Sequence, residues 1–260
     1  MQVHVLASGS TGNALFFDFD TTKILVDAGI SARRIQQALR AIGTSLEKVD
    51  AVLVTHEHRD HVSGLPTLTR RYGLPVYTRP GTWENMYCRE LIPSACRYDL
   101  GDSLEIGSVK IEAFSISHDA ADPVGFNFFY RNRKYSVATD LGFVTDSVKK
   151  AIACSDVLVL ESNHDVDMLK NGSYPWPLKR RIMSNRGHLS NTDAGWALAR
   201  LPRKNKTEVF LAHLSQENNR PDLAKTTVST ILADQGCCLD SEITLRLTYP
   251  DRAASLVEEL

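Results

Sequence analysis

The chain has 260 residues, of which 43% are hydrophobic, and a formal net charge of -1. This length and apolar content suffice for a sizeable core, and no apolar run is long enough to cross a bilayer, which argues against a membrane protein. The near-neutral charge excludes a protein that attracts nucleic acid by its overall field, so any phosphate binding has to be local.

The five cysteines, which include the adjacent pair Cys237-Cys238, show no spacing typical of a disulfide framework. The chain opens on a predicted strand and not on a basic and apolar leader. These features predict a reducing, cytoplasmic location without a membrane partner. They leave the oligomeric state open.

The first predicted elements are strands over residues 3–6, 14–19 and 23–26, which form an antiparallel opening. Asp27 stands at the end of the third strand, where a carboxylate can brace a neighbouring loop by accepting hydrogen bonds. We therefore assign Asp27 a supporting role and not ligation. Ser31 is a suitable N-cap for the amphipathic helix that follows.

The next feature is a hexapeptide, His56-Glu57-His58-Arg59-Asp60-His61, which follows the apolar run 51–55. Because that run has the length of a strand buried on both faces, the hexapeptide lies in a strand-end loop. Three imidazoles and a carboxylate so close together suit Zn²⁺, Fe²⁺ or Mn²⁺. His-x-His on a looped segment can aim two side chains at one ion and leave Asp-His for a second, which favours two ions. The alternative is a solvated histidine-rich turn.

Later predicted strands each deliver a candidate side chain at their carboxyl ends. These residues are His118 after the strand ending near 114, Asp140 after 134–139, Glu161 after 157–160 and His213 after 209–212. Taken alone, His118 is typical of a surface loop and Asp140 of a turn or helix cap. The hexapeptide upstream favours metal ligation by both.

The densest positive cluster falls in one short window beside His188 and consists of Lys179, Arg180, Arg181 and Arg186. We expect these four residues, together with His164, Ser190 and Asn191, to contact the substrate. His164 also competes with His188 as proton donor. An equally good interpretation places His164 at the N-terminus of the helix that contains Val166 and Leu169.

The hexapeptide resembles the HxHxDH signature of the metallo-β-lactamase-fold hydrolases, and the resemblance covers nearly the whole chain. The flanking sequences at 7–13, 186–191 and 213–219 are similar to the YycJ/WalJ-like branch, whose members are implicated as DNA exonucleases. The resemblance implies an α/β protein, a four-layer αββα sandwich of two similar halves. It further implies a single domain over residues 1–260 without an inserted cap domain.

The resemblance also implies a dinuclear site. One ion would be held by His56, His58 and His118, the other by Asp60, His61 and His213, and Asp140 would bridge them. Zn²⁺ and Mn²⁺ both suit this set, and Asp60 would in addition accept a proton from the attacking water. The Glu161 and Gly187-His188 pair is similar to one in tRNase Z-type nucleases, where the carboxylate orients an imidazole near the departing oxygen.

These features predict a phosphodiester hydrolase, a DNA exonuclease that uses a hydroxide shared by two divalent ions. The alternative is a thioester or lactone hydrolase on the same metal pair. A β-lactamase fits less well because such enzymes commonly carry a cysteine in the second site and need a secretory leader. A non-catalytic metal-binding module is a third hypothesis. The sequence decides neither DNA against RNA nor the polarity of digestion.

Overall fold

The computed structural model describes residues 1–257 of the chain. Backbone contacts divide the chain into two compact units. The first unit comprises Met1–Ala113, Ala120–Val124 and the segment from Tyr249 onwards, and the second comprises Phe114–Asp119 and Gly125–Thr248. Each unit has its own apolar core. The single domain predicted from the sequence stays a prediction.

The first unit is built on a mixed sheet. Its strands are β1 (Gln2–Ala7), β2 (Ala14–Phe19), β3 (Thr22–Val26), β4 (Ala51–Leu53), β5 (Val76–Thr78), β6 (Arg97–Asp99) and β14 (Ala254–Val257), in the order β14-β1-β2-β3-β4-β5-β6. Pairing is antiparallel from β14 to β3 and parallel from β3 to β6. Because β3 and β4 are parallel neighbours, the residues that follow them lie at the same edge of the sheet.

Four helices accompany this sheet: α1 (Ala32–Ala41), α2 (Arg59–Val62), α3 (Leu65–Tyr72) and α4 (Pro80–Asn85). As predicted, the Ser31 hydroxyl caps α1 by accepting a hydrogen bond from the backbone N–H of Arg34. Gly73 ends α3 in the left-handed conformation, with φ of 65°, which glycine adopts without steric cost. Apolar side chains of these helices pack with the strands in one core.

The sequence pattern also predicts one helix over residues 83–91, and that prediction is wrong. The helix α4 ends at Asn85, and a separate 3₁₀ turn spans Arg89–Leu91. Between them Met86 is extended and, like Cys88, is buried in the core of the first unit. Burial of these two side chains therefore overrides a helical pattern that the sequence alone suggests.

The chain continues through an antiparallel hairpin of β7 (Ser103–Ile106) and β8 (Val109–Ser115). The second unit then adds β9 (Val124–Tyr130), β10 (Arg133–Ala138), β11 (Val157–Glu161), β12 (Thr207–Ala212) and β13 (Ile243–Leu247). These strands lie in the order β13-β12-β11-β10-β9, with β10 to β13 parallel and β9 antiparallel to β10. The carboxyl ends of β10, β11 and β12 consequently meet at one edge.

Helices of the second unit are α5 (Asp146–Ile152), α6 (Val166–Asn171), α7 (Trp176–Ile182), α8 (Asn191–Ala199) and α9 (Pro221–Asp234). The interpretation of His164 as the first residue of α6 is wrong, because Asp165 is the N-cap and its carboxylate accepts from the N–H groups of Asp167 and Met168. Ser190 is the N-cap of α8 and accepts from the N–H of Asp193. None of the helices within residues 1–257 is long and apolar enough to span a lipid bilayer.

Candidate metal centre

The first half of the hexapeptide lies in the loop after β4, as the sequence predicts, whereas Arg59, Asp60 and His61 form the start of α2 and not a loop. His56 and His61 are buried, whereas His58 and Asp60 are partly exposed. The His56 ring centroid lies 4.6 Å from that of His58 and 4.1 Å from that of His61. Three imidazoles at van der Waals distance would repel one another if they were protonated, so the cluster suits neutral rings that ligate a cation.

Asp27 and Thr55 orient two of these imidazoles. The Asp27 carboxylate accepts from His61 Nδ1 at 2.8 Å and from the backbone N–H of Thr55 at 2.9 Å. The Thr55 hydroxyl lies 3.0 Å from Asp27 Oδ2 and 3.0 Å from His56 Nδ1. This network assigns the proton of both rings to Nδ1, so that Nε2 presents its lone pair as the ligand atom. The bracing contacts predicted for Asp27 are present, whereas its exclusion from the metal ligands stays a prediction.

Close backbone contacts fix the loop against the start of the chain. The N–H of Asn13 donates to Asp60 O and the N–H of Ala28 donates to His61 O, both at 2.8 Å. A Cβ on Gly29 would lie 1.6 Å from Asp60 O, so only glycine allows this approach. The Asn13 side-chain amide lies 3.1 Å from His61 Nε2, which makes that nitrogen an acceptor. Sequence reasoning left the role of the 7–13 loop undecided, and here its Asn13 contacts a predicted ligand.

In the second unit, the strand ends bring Asp140, Glu161 and His213 together. The His213 Nδ1 atom lies 2.9 Å from Glu161 Oε1 and 3.3 Å from Asp140 Oδ1. His188 comes from the loop between α7 and α8, and its Nδ1 lies 2.8 Å from Glu161 Oε1. One ligand atom from each of these four residues lies within 4.8 Å of the others, a cluster that could hold a metal ion.

Glu161 is fully buried and accepts hydrogen bonds from two histidines, His188 and His213. Burial raises the pKa of Glu161, but the His188 charge and hydrogen bonds from His188 and His213 outweigh burial and hold that pKa well below its usual range. The carboxylate is therefore ionised and fixes Nδ1 of both rings as the protonated nitrogen. The Glu161–His188 contact expected from the sequence is present, whereas its second contact to His213 was not foreseen.

His118 follows β8 and is 2% exposed. Its Nδ1 donates to Gly187 O at 3.1 Å, which again leaves Nε2 as the acceptor nitrogen. Burial lowers the pKa of His118, so the imidazole is neutral at pH 7, as a metal ligand has to be. A Cβ on Gly187 would lie 2.2 Å from Arg181 O, which explains why glycine precedes His188.

Backbone strain marks three of these positions. Asp27, Asp140 and His213 have φ of 61°, 59° and 56°, in the left-handed region that residues other than glycine rarely adopt. Asp27 and His213 directly follow β3 and β12, and Asp140 is the second residue after β10. The left-handed conformation changes the direction of the backbone at these strand ends and thereby sets the direction of each side chain. This conformation could not be predicted from the sequence, although Asp and His tolerate it better than β-branched residues do.

Three of the residues predicted to contact the substrate are buried and make hydrogen bonds within the protein. Lys179 is 8% exposed, and its ammonium donates to Lys170 O at 2.8 Å and to Gly172 O at 2.7 Å. Ser190 caps α8, and its hydroxyl donates to Asp193 Oδ2 at 2.6 Å. Asn191 exchanges hydrogen bonds with Asn219 and accepts one from the Ser162 hydroxyl. These placements speak against substrate contacts by Lys179, Ser190 and Asn191.

The three predicted arginines are exposed. Arg181 pairs with Asp119 through two hydrogen bonds, one of them 3.0 Å between Nη2 and Oδ1. Arg186 donates through Nε and Nη2 to His118 O, each at 3.3 Å. Arg180 lies on the exposed side of α7. A phosphate contact by these three residues stays a prediction.

His164 is 2% exposed, and its Nδ1 has no hydrogen-bond partner within residues 1–257. Burial lowers the pKa of His164 to about 4. The ring is therefore neutral at pH 7 and is not available as a charged proton donor. His188, which is bonded to an ionised carboxylate and partly exposed, fits that role better.

Two supporting asparagines were missed in the sequence. The Asn163 amide donates to His213 O at 2.8 Å, and the Asn219 amide donates to the backbone carbonyls of Ser162 and Asn163, each at 2.9 Å. Together they hold the segments that follow β11 and β12. Their only signal in the sequence is a pair of amide residues shortly after predicted strands, which is common in ordinary loops.

Histidines and carboxylates that follow parallel strands, with their Nδ1 atoms held by a second layer of acceptors, define a metal-dependent hydrolase. The chain belongs to the family described as beta-lactamase superfamily domain, whose model matches residues 22–214.

The chain is similar to two curated exodeoxyribonucleases. It is 43% identical to exodeoxyribonuclease YycJ of Bacillus anthracis over 235 residues, 89% of each chain. It is 37% identical to exodeoxyribonuclease WalJ of Streptococcus pneumoniae D39 over 259 residues, 98% of this chain and 96% of the relative. The metallo-β-lactamase fold protein YhfI of Bacillus subtilis superposes with a TM-score of 0.74 at 17% identity, covering 98% of each chain. The predicted fold class is confirmed.

Proposed function

We propose that the protein is a metal-dependent DNA exonuclease. The observation that carries this proposal is the similarity, along nearly the whole chain, to two relatives named exodeoxyribonucleases. The histidine and carboxylate clusters at the strand ends support it, because they supply the donor set that a hydrolase of this family requires.

The ligand assignment is part of the proposal. We assign His56, His58 and His118 to one divalent ion, Asp60, His61 and His213 to another, and Asp140 to both, as the family resemblance implies. Such ions, Zn²⁺ or Mn²⁺, would supply an activated water and stabilise negative charge on the attacked phosphorus. The Nδ1 atoms of His56, His61, His118 and His213 are all engaged in hydrogen bonds, which leaves Nε2 of each ring for ligation.

The chain's own residues move the protons. Asp60 is partly exposed in the first turn of α2 and is the carboxylate that we assign as proton acceptor for the attacking water. His188 is held through Nδ1 by the ionised Glu161, so Nε2 is the atom that delivers a proton. We assign that proton to the leaving sugar oxygen, a strongly basic alkoxide that needs neutralisation as it departs.

A thioester or lactone hydrolase is the alternative from a different substrate class. Such an enzyme could use the same metal ligands but would need no proton donor matched to a sugar alkoxide. The two exodeoxyribonuclease relatives favour phosphodiester chemistry.

A panel of end-labelled single- and double-stranded DNA and RNA, with and without Mn²⁺, tests the proposal. We expect metal-dependent shortening of DNA from an end, with mononucleotides as early products. Rapid hydrolysis of thioesters with intact DNA would overturn it. The RNA arms measure how far the activity is restricted to DNA.

A cytoplasmic location is also proposed. All five cysteines are free thiols, and two of them, Cys154 and Cys238, are exposed. Exposed thiols persist in a reducing compartment, where DNA is present as substrate.

A further inference from the structure

An open cleft of about 410 Å³ lies within the second unit, between α5 and α8. This volume falls in the roughly 300–1,000 Å³ range of small-molecule sites. The segment from Gly142 to Lys149 forms one wall, and residues of α8 form another. We name it the α5–α8 cleft.

The α8 wall is a stripe of four residues at helical spacing, namely Asp193, Trp196, Ala197 and Arg200. Trp196 is half-buried, and the Arg200 guanidinium lies over its ring at 5.0 Å from the centroid. The small side chain of Ala197 leaves room beside the indole. The stripe therefore combines an aromatic ring with a cation that lies over one of its faces.

The wall formed by the segment from Gly142 to Lys149 supplies a second aromatic ring and a second cation. Phe143 is 41% exposed, although a phenyl ring gains free energy from burial. Lys149 lines the same cleft one turn into α5. An exposed aromatic ring and a half-buried indole that line one cleft match the way proteins hold the bases of single strands.

The cleft is coupled to the candidate catalytic cluster through Glu161. Its Oε2 accepts from the N–H of Leu141 at 2.8 Å and from the N–H of Leu189 at 3.1 Å. Gly142, the next residue after Leu141, and Leu189 itself both line the cleft. Neighbouring Cα atoms are about 3.8 Å apart. The cleft therefore begins no more than one residue away from the backbone N–H groups that donate to Glu161, the carboxylate that holds His188.

The walls near this end are preformed. A Cβ on Gly142 would lie 2.2 Å from the carbonyl carbon of Asn185, so glycine lets the two segments touch. The N–H of Gly142 donates to Ser117 O, and the Ser117 hydroxyl donates to Asn185 O at 2.7 Å. A ligand would therefore meet a shaped surface and would not have to order these segments.

We propose that the α5–α8 cleft binds one base of the DNA strand next to the scissile phosphodiester, with Trp196 and Phe143 stacking on that base. This inference rests on the proposed nuclease function. The charges favour a base over a phosphate, because Asp146 and Asp193 line the cleft with Lys149 and Arg200 and balance them. Carboxylates repel phosphate but accept hydrogen bonds from the amino groups of bases.

The test measures binding of short single-stranded DNA to the metal-loaded enzyme by fluorescence anisotropy, with phosphorothioate linkages that resist cleavage. Phe143→Ala and Trp196→Leu should raise Kd roughly 5- to 150-fold, the cost of losing one stacked base. Trp196→Phe keeps a ring and should retain most of the affinity. An abasic sugar is then moved along the oligonucleotide. When the abasic sugar stands where the cleft binds a base, it should raise the wild-type Kd by the same factor as the substitutions do. Wild type and variants should then bind this oligonucleotide with equal Kd.

Two matched controls accompany these variants. Trp176 is 56% exposed and lies outside the cleft, so Trp176→Ala should leave Kd unchanged. Lys149→Ala should weaken binding more than Lys150→Ala, because only Lys149 lines the cleft. Wild-type Kd in both Phe143→Ala and Trp196→Leu, or a defect that persists with every abasic oligonucleotide, would overturn the inference.

Hydrolysis of an oligonucleotide with the abasic sugar at the position where the cleft binds a base separates this inference from the proposed function. This substrate offers the cleft no ring to stack on, so wild type and cleft variants should hydrolyse it at the same rate. If the wild type hydrolysed no phosphodiester, the proposed function would fail. If it degraded DNA while the cleft variants bound DNA normally, only the base site would fail.

Discussion

At the scale of single residues, Glu161 connects most of the candidate site in the second unit. Its Oε1 lies 2.8 Å from His188 Nδ1 and 2.9 Å from His213 Nδ1, while Oε2 accepts two backbone N–H groups. A buried carboxylate that accepts several hydrogen bonds is strongly held in its ionised form. The two imidazoles are therefore coupled, and a change at one must be checked for an effect on the other.

His188→Ala should slow DNA hydrolysis about 10²- to 10⁴-fold, the usual effect of losing a general acid. Hydrolysis of a nitrophenyl phosphodiester should fall far less, because that leaving group hardly needs a proton. Metal content, measured by elemental analysis, should stay that of the wild type. Helix capping is no alternative explanation, since Ser190 caps α8. Equal impairment on both substrates would rule out proton donation by His188.

Asp27→Ala should lower metal affinity about 10- to 100-fold, because it removes the acceptor that holds His61 Nδ1 and orients Thr55. Competition with a chromogenic chelator measures this affinity directly. Asp18→Asn, at a surface pair with Lys23, is the matched control and should bind metal normally. Unchanged affinity in Asp27→Ala would show that the hexapeptide orders its imidazoles without this support.

At the scale of elements, several strands could be located from apolar runs that are followed by polar residues. Apolar runs located β4, β11 and β12, and the polar residues after them proved to lie at the carboxyl ends of parallel strands. The cluster of basic residues between Lys179 and Arg186 was less informative, because the sequence does not reveal which basic side chain is buried. The buried side chain is Lys179, which lies on α7, a helix that was not predicted from the sequence.

Lys179→Met should destabilise the second unit by about 1–3 kcal/mol, because it leaves the carbonyls of Lys170 and Gly172 without their donor. Its KM for DNA should stay within twofold of the wild type. Arg180→Met, at an exposed neighbour on the same helix, should leave the free energy of unfolding nearly unchanged. Urea denaturation and steady-state kinetics measure both. A large rise in KM for Lys179→Met with normal stability would restore the sequence-based prediction.

At the scale of the whole molecule, stability should fall as the pH falls from about 6.5 towards 4. The pKa of His164 is lowered to about 4 in the folded state by burial, despite the opposing charges of Glu161, Asp193 and Asp165. The unfolded chain therefore binds this proton first, which favours unfolding as the pH decreases. His4 contributes in the same direction, because burial also lowers its pKa.

His164→Gln should reduce the acid-induced loss in the free energy of unfolding by up to about 3 kcal/mol at pH 4. This is the free energy that corresponds to a pKa lowered from 6.5 to about 4. Urea denaturation of wild type and variant at pH 7.5 and at pH 4.5 measures the difference, and proton uptake at other sites cancels between them. His4→Gln serves as a second variant in the first unit. Parallel curves for wild type and His164→Gln would contradict the assignment.

The left-handed backbone at Asp140 and His213 has a consequence for protein engineering. A non-glycine residue in this conformation costs on the order of 1 kcal/mol or more, which glycine at the same position would recover. A design procedure that scores backbone strain alone would therefore favour glycine at both positions and remove these two side chains. A library built to improve this enzyme should hold both codons fixed and look for stability elsewhere in the chain.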